Sequence, residues 1–234
     1  SGSAMMTAIE KGQLERARDL LKKGTDLNAC NTANDTAITK AFAQKDFDLI
    51  MLMLKREENP VSLATLQRVT QKKQNSPLDR AIALGRPEIL MALASYGPGN
   101  RSPLDMDTKS CRGYTPLYYA IGCLREVIAG IFPLLDSFDP KGSAEDIASG
   151  IRCLIHDIGV ELDTTNVNNH TALTLCAEMG LTDLAIDLLN KGAAANHQCL
   201  GGGTALCFAI KNNDRRLGSA LIEYKADYTL FVEG

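Results

Sequence analysis

The chain contains two copies of one segment about 33 residues long, and this repetition constrains its fold more than any other feature. The first copy covers residues 171–196 and the second covers residues 204–228. Both begin with Thr-Ala-Leu and end in a Lys-Gly or Lys-Ala step that follows two aliphatic residues. Units of this length stack on one another because a single unit cannot bury its apolar side. Stacked arrays offer extended binding surfaces, so the repetition favours binding over catalysis.

A small residue at the end of each first apolar segment gives the register of six copies. These anchor residues are Ala8, Ala41, Ala81, Ala120, Cys176 and Ala209. Successive anchors are 33, 40, 39, 56 and 33 residues apart. The longer intervals indicate residues inserted between constant packing positions. The register therefore extends over the whole sequence.

Five anchors close a hexapeptide that begins with Thr or Ser. The hexapeptides are Thr36–Ala41, Ser76–Ala81, Thr115–Ala120, Thr171–Cys176 and Thr204–Ala209. The Thr or Ser is expected to cap a helix, and Pro at the next position suits a first helical turn. Glycines follow four residues after three anchors and sixteen residues after the same three, where helices are expected to end in left-handed turns. Each unit is therefore predicted to be a helix, a turn, a second helix and a projecting loop.

The hexapeptides resemble the Thr-Pro-Leu-His-x-Ala signature of the ankyrin-repeat family. The resemblance covers nearly the full length and implies an all-α ankyrin-repeat solenoid of about six helix-turn-helix repeats with finger loops. The approximate repeats are 4–31, 32–71, 72–110, 111–166, 167–199 and 200–234, which together form one predicted domain over residues 4–234. Residues 1–3 are interpreted as a remnant of expression cloning.

The sequence departs from the family signature at its histidine. The residues in its place are Thr39, Asp79, Tyr118, Thr174 and Cys207. The hydrogen bonds that the histidine would make to neighbouring repeats must be replaced or lost. We therefore expect an array that is less regular and less stable than one of consensus repeats.

In two of the longer intervals, the extra residues are expected to lengthen a finger loop. Between repeats two and three, Leu63, Leu66 and Val69 recur at helical spacing after Ser62, which stands where a cap would. This pattern predicts a short extra helix. Between repeats three and four, residues 97–103 are rich in Gly and Pro, so an extended loop is expected there.

The largest insertion falls within repeat four. An apolar face runs from Leu124 to Leu135, and Ser143 with Asp146 matches a capping box that would open a further helix. An extra helix is therefore predicted in repeat four. Such a helix would either cover apolar core or form a ridge for a partner.

Composition and charge limit the classes of partner. A formal net charge of -3 argues against general nucleic-acid binding, which usually needs a basic stripe. The most apolar stretch, residues 120–138, contains Arg125, Glu126 and Pro133, and no membrane insertion is predicted. Seven scattered cysteines do not suggest a disulfide framework and favour a reducing compartment. The sequence therefore predicts a cytoplasmic protein.

Three patterns were considered as sites of chemistry. Cys153 and His156 are three residues apart and share a helix face, but no oxyanion-hole or nucleophile-elbow pattern accompanies them. The same pair gives only one Cys-x2-His, whereas zinc sites normally show paired ligands. Residues 201–203 are glycines, but the Lys-Ser/Thr of a phosphate loop does not follow. No catalytic residue, metal site or cofactor is predicted.

The family resemblance implies that a partner contacts the finger tips and the exposed side of the first helices, which line a concave face. Transferred position by position, it gives Thr32, Asp35, Gln44, Lys72, Lys73, Arg112, Tyr114, Asn168, His170, Glu178, Lys211 and Asn212. Less favoured positions include Leu84, Cys123, Val167 and Leu200. Tyr114 and Arg112 are the preferred anchors, because Tyr and Arg are enriched among residues that dominate interface energy.

The sequence thus predicts a monomeric, non-catalytic protein–protein interaction module. Degenerate repeats with long insertions resemble bacterial ankyrin effectors in style, which would imply a host protein as partner and the host cytosol as location. The alternative is a targeting or substrate-recognition domain of a larger enzyme whose catalytic domain lies elsewhere. A third hypothesis, an enzyme built into repeat four, requires a deep polar pocket that contains Cys153 and His156.

Overall fold

The computed structural model describes residues 2–67, 76–96, 106–107, 114–129 and 143–230. Within these ranges the chain forms thirteen α-helices and one π-helical turn, and no β-strand. The chain divides into two compact units. Unit 1 comprises Ser1–Asp105 with Phe132–Lys141, and unit 2 comprises Met106–Ile131 with Gly142–Gly234. The prediction of one continuous domain over residues 4–234 stays a prediction.

Unit 1 contains seven helices in its described part. They are α1 (Gly2–Glu10), α2 (Leu14–Lys22), α3 (Ala37–Gln44), α4 (Phe47–Leu54), α5 (Leu63–Gln67), α6 (Pro77–Leu84) and α7 (Pro87–Ala94). Helices α1 and α2, α3 and α4, and α6 and α7 form packed hairpins, and the first helices α1, α3 and α6 pack in that order. Helix α5 is the short helix predicted between repeats two and three, and the Ser62 hydroxyl accepts the Thr65 N–H at 3.1 Å as its predicted cap.

Unit 2 contains six helices in its described part. They are α8 (Pro116–Ala129), α9 (Ala144–Cys153), α10 (Ala172–Glu178), α11 (Thr182–Asn190), α12 (Ala205–Lys211) and α13 (Arg215–Glu223), and a π-helical turn over Leu154–Ile158 follows α9. The first helices α8, α10 and α12 pack side by side, and the second helices α9, α11 and α13 do the same. Each first helix also packs on the second helix of its own repeat, which produces two layers.

The anchor residues form the centre of the core in both units. All six lie in first helices, and none is more than 1% exposed. A side chain no larger than a thiol at this point lets neighbouring helices pack closely. Burial also raises the pKa of the Cys176 thiol, which therefore stays protonated. The predicted register is confirmed.

The predicted caps are present in all five hexapeptides. In each, the side-chain oxygen of the first residue accepts the backbone N–H three residues later; these residues are Thr36, Ser76, Thr115, Thr171 and Thr204. Each satisfies one of the N–H groups that a helix leaves unpaired at its start. The local hexapeptide pattern therefore determines where the first helices begin.

Three of the residues that replace the signature histidine make hydrogen bonds within their own repeat. The Thr39 hydroxyl donates to the Thr36 carbonyl at 2.9 Å, and the Asp79 carboxylate accepts the Ser76 N–H at 2.8 Å. The Tyr118 hydroxyl instead accepts a hydrogen bond from the Asn166 side-chain amide. Because these bonds lie within one repeat, they do not replace bonds to neighbouring repeats, and the lower stability of the array stays a prediction.

The first helices of five repeats end in a left-handed residue four positions after the anchor. Gly12, Gly85 and Gly180 take this conformation with φ between 64° and 69°, and Lys45 and Asn213 take it with φ of 58° and 54°. Non-glycine residues accept the strain of this conformation only where the surrounding structure requires it. The turn is thus imposed by the position in the repeat, with or without glycine.

Repeat four differs, because α8 continues past this position to Ala129. Helix α9 begins with the predicted capping box, in which the Ser143 hydroxyl accepts the Asp146 N–H at 3.1 Å. Since α9 packs on α8 and α11, it occupies the place of a second helix. The additional helix predicted for repeat four is therefore not confirmed among the described residues. Residues 130–142 lie outside them, as does the loop predicted at 97–103.

Candidate functional site

Two finger loops of unit 2 lie side by side before α10 and α12. Asn166 shapes the first of them, because its side-chain oxygen accepts the N–H groups of Asn168 and His170, each at 2.9 Å. The Leu200 N–H in the next finger donates to the Asn168 carbonyl at 3.0 Å. Local side-chain to backbone bonds of this kind fix a loop conformation without regular secondary structure.

The tips of these two fingers are apolar. Val167 and Leu200 stand nine residues before their anchors, and their side chains are 79% and 66% exposed. The hydrogen bond between Leu200 and Asn168 keeps the two tips adjacent. We call Val167 and Leu200 the fingertip pair.

An aromatic pair lies at the start of α8. The rings of Tyr114 and Tyr118 stack with centroids 5.3 Å apart and planes inclined by 17°, and both side chains are half-buried. Burial raises the pKa of Tyr118 against the hydrogen bond from Asn166, and the charge of Glu178 adds to the rise. The phenol is therefore neutral at physiological pH, and Glu178 is within electrostatic reach of it.

Glu178 ends α10 and is the exposed carboxylate of this surface. Its side chain is 48% exposed, and its Oε2 atom lies 3.8 Å from Nδ1 of His170. The His170 side chain is only 13% exposed, and its Nδ1 has no hydrogen-bond partner within the described residues. His170 also packs against the ring of Phe208 with centroids 5.9 Å apart. The five residues Tyr114, Tyr118, Asn166, His170 and Glu178 are called the Tyr–Glu surface below.

Several predicted partner-binding residues use their polar groups within the protein. The Asp35 carboxylate pairs with Lys40 at 2.7 Å, and Lys40 also pairs with Glu10 at 2.8 Å. The side-chain amide of Asn212 donates to the carbonyls of Ala177 and Glu178 at 2.9 and 3.1 Å. Both side chains therefore connect elements of their own unit, which leaves them less available to a partner.

Other predicted positions differ in exposure. Thr32, Gln44, Asn168 and Lys211 are exposed, as a partner contact requires. The less favoured Leu84 and Cys123 are buried in the hydrophobic core. Their prediction as surface residues was therefore wrong. Lys72, Lys73 and Arg112 lie outside the described residues. The structure thus brings together Tyr114, His170 and Glu178 of the predicted set.

Tyr118 and Asn166 belong to this surface although they were not predicted as site residues. Tyr118 was considered only as a replacement for the signature histidine. Tyr114 precedes the cap Thr115, so the two tyrosines do not share one helix, and their spacing gave no helix-face signal. The bond from Asn166 joins residues 48 positions apart, and no local pattern indicates it.

The pair considered for catalysis is divided between two environments. Cys153 is buried beside Leu154 and Ile155, whereas His156 is exposed and its Nε2 lies 3.8 Å from the Asp187 carboxylate. Asp187 also accepts a hydrogen bond from Arg152 at 3.1 Å. These surroundings give no support to an enzyme built on Cys153 and His156.

The part of the chain that the structure describes contains neither a metal-binding cluster nor a membrane-spanning helix. No group of three or more His, Cys, Asp or Glu side chains there is placed to hold a metal ion. No helix there has the length and apolar character needed to cross a membrane.

The family model for ankyrin repeats, in three copies, matches residues 5–103. Over these residues the chain matches the ankyrin-repeat family, and the described helices have the ankyrin-repeat fold. The predicted fold class, an all-α ankyrin-repeat solenoid, is confirmed by the helices and by similar solved structures.

One protein is similar to the chain in sequence, and two solved structures are similar to it in fold. Pig (Sus scrofa) NF-kappa-B inhibitor alpha is 28% identical over 166 residues, which cover 70% of this chain and 44% of that protein. The ankyrin repeat protein EF0377 has a TM-score of 0.69 at 17% identity and covers 96% of this chain and 98% of its own. A chain from the complex of the predatory endopeptidase Bd0816 of Bdellovibrio bacteriovorus with the immunity protein Bd3460 has a TM-score of 0.58 at 20% identity, with coverages of 95% and 98%. The chain therefore spans less than half of the pig protein, and the two structures show likeness of fold alone.

Proposed function

We propose that this protein is a non-catalytic protein–protein interaction module whose unit 2 binds a partner protein through its finger tips and first helices. Ankyrin repeats generally mediate protein–protein interaction. The observation that supports unit 2 as the binding part is the exposed fingertip pair beside the Tyr–Glu surface. Aromatic and aliphatic side chains next to a few polar groups are the usual composition of an interface centre.

The fingertip pair is informative because its exposure serves no internal packing. Single exposed aliphatic residues are common on protein surfaces. Here two of them occupy the same register position on adjacent fingers, and a backbone hydrogen bond holds the fingers together. Exposed apolar side chains on neighbouring, hydrogen-bonded fingers favour burial by a partner.

The similar proteins support an interaction role without supplying the partner. One is named as an inhibitor of NF-kappa-B, and another comes from a complex of an endopeptidase with an immunity protein.

The cysteines bear on the compartment. Cys30, Cys176, Cys199 and Cys207 are free thiols, which supports a reducing compartment such as the cytosol. A bacterial effector in the cytosol of a host remains one form of this proposal, and a targeting domain of a larger enzyme is the alternative.

The proposal is tested with a purified partner rather than by capture alone. Proteins retained from cytosol by the immobilised chain are identified and purified, and their affinity is measured by calorimetry. The variant Val167→Ser/Leu200→Ser should weaken binding about tenfold or more, because it removes exposed apolar contact. The matched control is Leu52→Ser/Met91→Ser, which removes two exposed apolar side chains from the second helices α4 and α7 of unit 1.

Equal affinity for the fingertip variant and the wild type would contradict the proposal. Loss of binding in the control variant alone would contradict it as well, because the binding face would then lie on unit 1.

A further inference from the structure

We infer that the Tyr–Glu surface binds a basic side chain, foremost an arginine, that a partner protein presents to it. The inference rests on the proposed function and adds the chemistry of the partner. Three observations carry it: a stacked aromatic pair, an exposed carboxylate next to it, and the charge of unit 2.

The aromatic pair provides a flat receptor for a planar cation. Tyr114 and Tyr118 stack with ring centroids 5.3 Å apart, and neither side chain is fully buried. The face of an aromatic ring attracts a cation, and a guanidinium group can also lie parallel to the ring. The stacking and the bond from Asn166 hold Tyr118 in place before binding, which lowers the entropy lost on association.

Glu178 provides the countercharge. The carboxylate is about half exposed and lies 3.8 Å from His170. The His170 N–H donates to the Asn166 side chain, whose amide donates to the Tyr118 hydroxyl, so these contacts connect Glu178 to the ring pair. A negative charge at the last residue of a helix opposes the helix dipole, so Glu178 does not stabilise α10 by its charge. His170 at 3.8 Å is an ion-pair partner only when protonated.

Two basic side chains of unit 2, Arg125 and Lys211, are expected to weaken the attraction of a basic ligand. Arg125 acts on Tyr118 from further along α8, where the adjacent Glu126 carries the opposite charge. Lys211 occupies on α12 the register position that Glu178 has on α10, two residues after the anchor. Lys211 should therefore oppose a basic ligand, which gives a prediction of opposite sign for its removal.

The charge of the whole unit favours the same partner. Unit 2 has nine Lys or Arg and fourteen Asp or Glu residues, a formal charge of -5. Unit 1 has sixteen basic and fourteen acidic residues, a formal charge of +2. A negative unit raises the association rate of a positive partner at low salt.

The test uses three blocked decapeptides of Gly and Ser that contain two Arg, two Lys or two Asp residues. Each is titrated into the ¹⁵N-labelled chain at low salt, and amide shifts are followed by NMR. The arginine peptide should shift the amides of Tyr118, His170 and Glu178, the lysine peptide should do so more weakly, and the aspartate peptide should not. Raising the salt to about 0.5 M should reduce the affinity severalfold.

Matched variants distinguish the contributions of the Glu178 charge and of the tyrosine rings from a general change in the charge of the protein. Glu178→Gln should weaken the arginine peptide about fivefold and Lys211→Gln should strengthen it about twofold, in line with a partly screened charge. Glu223→Gln, the same charge change on α13, should leave it unchanged. Tyr114→Phe should retain binding, whereas Tyr114→Leu should weaken it, because only the former keeps the aromatic face.

The inference is overturned if the arginine and aspartate peptides shift the same amides equally, or if Glu178→Gln and Glu223→Gln bind alike. Its failure is distinguishable from that of the proposed function. A partner that tolerates Glu178→Gln but is lost with Val167→Ser/Leu200→Ser would refute the basic ligand and leave the interaction module intact.

Discussion

One finger loop in unit 1 and one in unit 2 share the same hydrogen bonds but differ in the residue at the tip. Asn31 and Asn166 stand ten residues before their anchors, and each side-chain oxygen accepts two N–H groups of its finger at 2.9 Å. The tip that follows is Thr32 in unit 1 and Val167 in unit 2. The scaffold of the finger is therefore constant, while its outermost side chain is free to change.

The same division applies to the charged groups. In unit 1, Asp35 at the finger base pairs with Lys40, which also pairs with Glu10. In unit 2, the exposed Glu178 has only a histidine near it in the ion pairs seen among the described residues. Packing positions thus define the fold of both units, and surface positions differ between them in how their charges are paired.

The largest expected effect concerns what the two units share. Ala41→Leu in unit 1 and Ala209→Leu in unit 2 should each lower the free energy of unfolding by about 1–3 kcal/mol, because both anchors are fully packed. Urea denaturation followed by circular dichroism measures the loss. A neutral effect in either unit would show that the anchor register does not extend through that unit.

The next effect separates the units by binding. Tyr114→Ala should cost about 1–2 kcal/mol of affinity for a purified partner, as expected for an aromatic anchor. The lost stacking on Tyr118 should also remove about 0.5–1.5 kcal/mol of stability. Thr32→Ala in unit 1 serves as the control and should alter neither quantity appreciably. An unchanged affinity for Tyr114→Ala would remove Tyr114 from the interface.

Helix caps provide a smaller comparison. Thr36→Ala should destabilise the protein by about 1 kcal/mol, because Thr36 takes part in a reciprocal capping box with Thr39. Thr204→Ala should cost less, since its partner position holds Cys207, whose thiol bonds weakly. Thermal unfolding of both variants measures the difference. A larger loss for Thr204→Ala would reverse the expected order of the two caps.

The smallest effect depends on pH. Burial alone would raise the pKa of Asp214, but hydrogen bonds from the Leu217 N–H and the Thr182 hydroxyl hold it below its usual value. A depressed pKa stabilises the fold above the unfolded value near 3.9, and the stabilisation is lost as the pH falls through the folded pKa. Asp214→Asn should therefore cost a few tenths of a kcal/mol at pH 7 and less at pH 3, measured by urea denaturation. A difference that grows as the pH falls would contradict this assignment, and Asp46→Asn tests the corresponding cap in unit 1.

The repeats were predictable from the sequence because their signals are local. Caps such as Thr171 and anchors such as Ala81 are recognised from a few neighbouring residues, and the structure has them where they were expected. The role of α9 was not predictable, because an amphipathic pattern with a capping box does not specify the helix that it packs against. Leu84 and Cys123 were predicted by transfer of family positions, and their burial depends on packing that this transfer does not contain.

The candidate surface was predictable only in part. Tyr114, His170 and Glu178 follow from positions of the family pattern, since the register places them on a finger or a first helix. Their grouping with Tyr118 depends on Asn166, which is distant in sequence and becomes a neighbour only in the folded unit. The partner-binding role of all these residues stays a proposal.

Hydrogen–deuterium exchange with and without a purified partner tests most directly whether unit 2 carries the binding surface. On binding, the amides of residues 164–171, 197–204 and 114–118 should exchange more slowly. The amides of residues 29–36, the corresponding finger of unit 1, should exchange at an unchanged rate. Protection confined to residues 29–36, with residues 164–171 and 197–204 unaffected, would contradict this prediction.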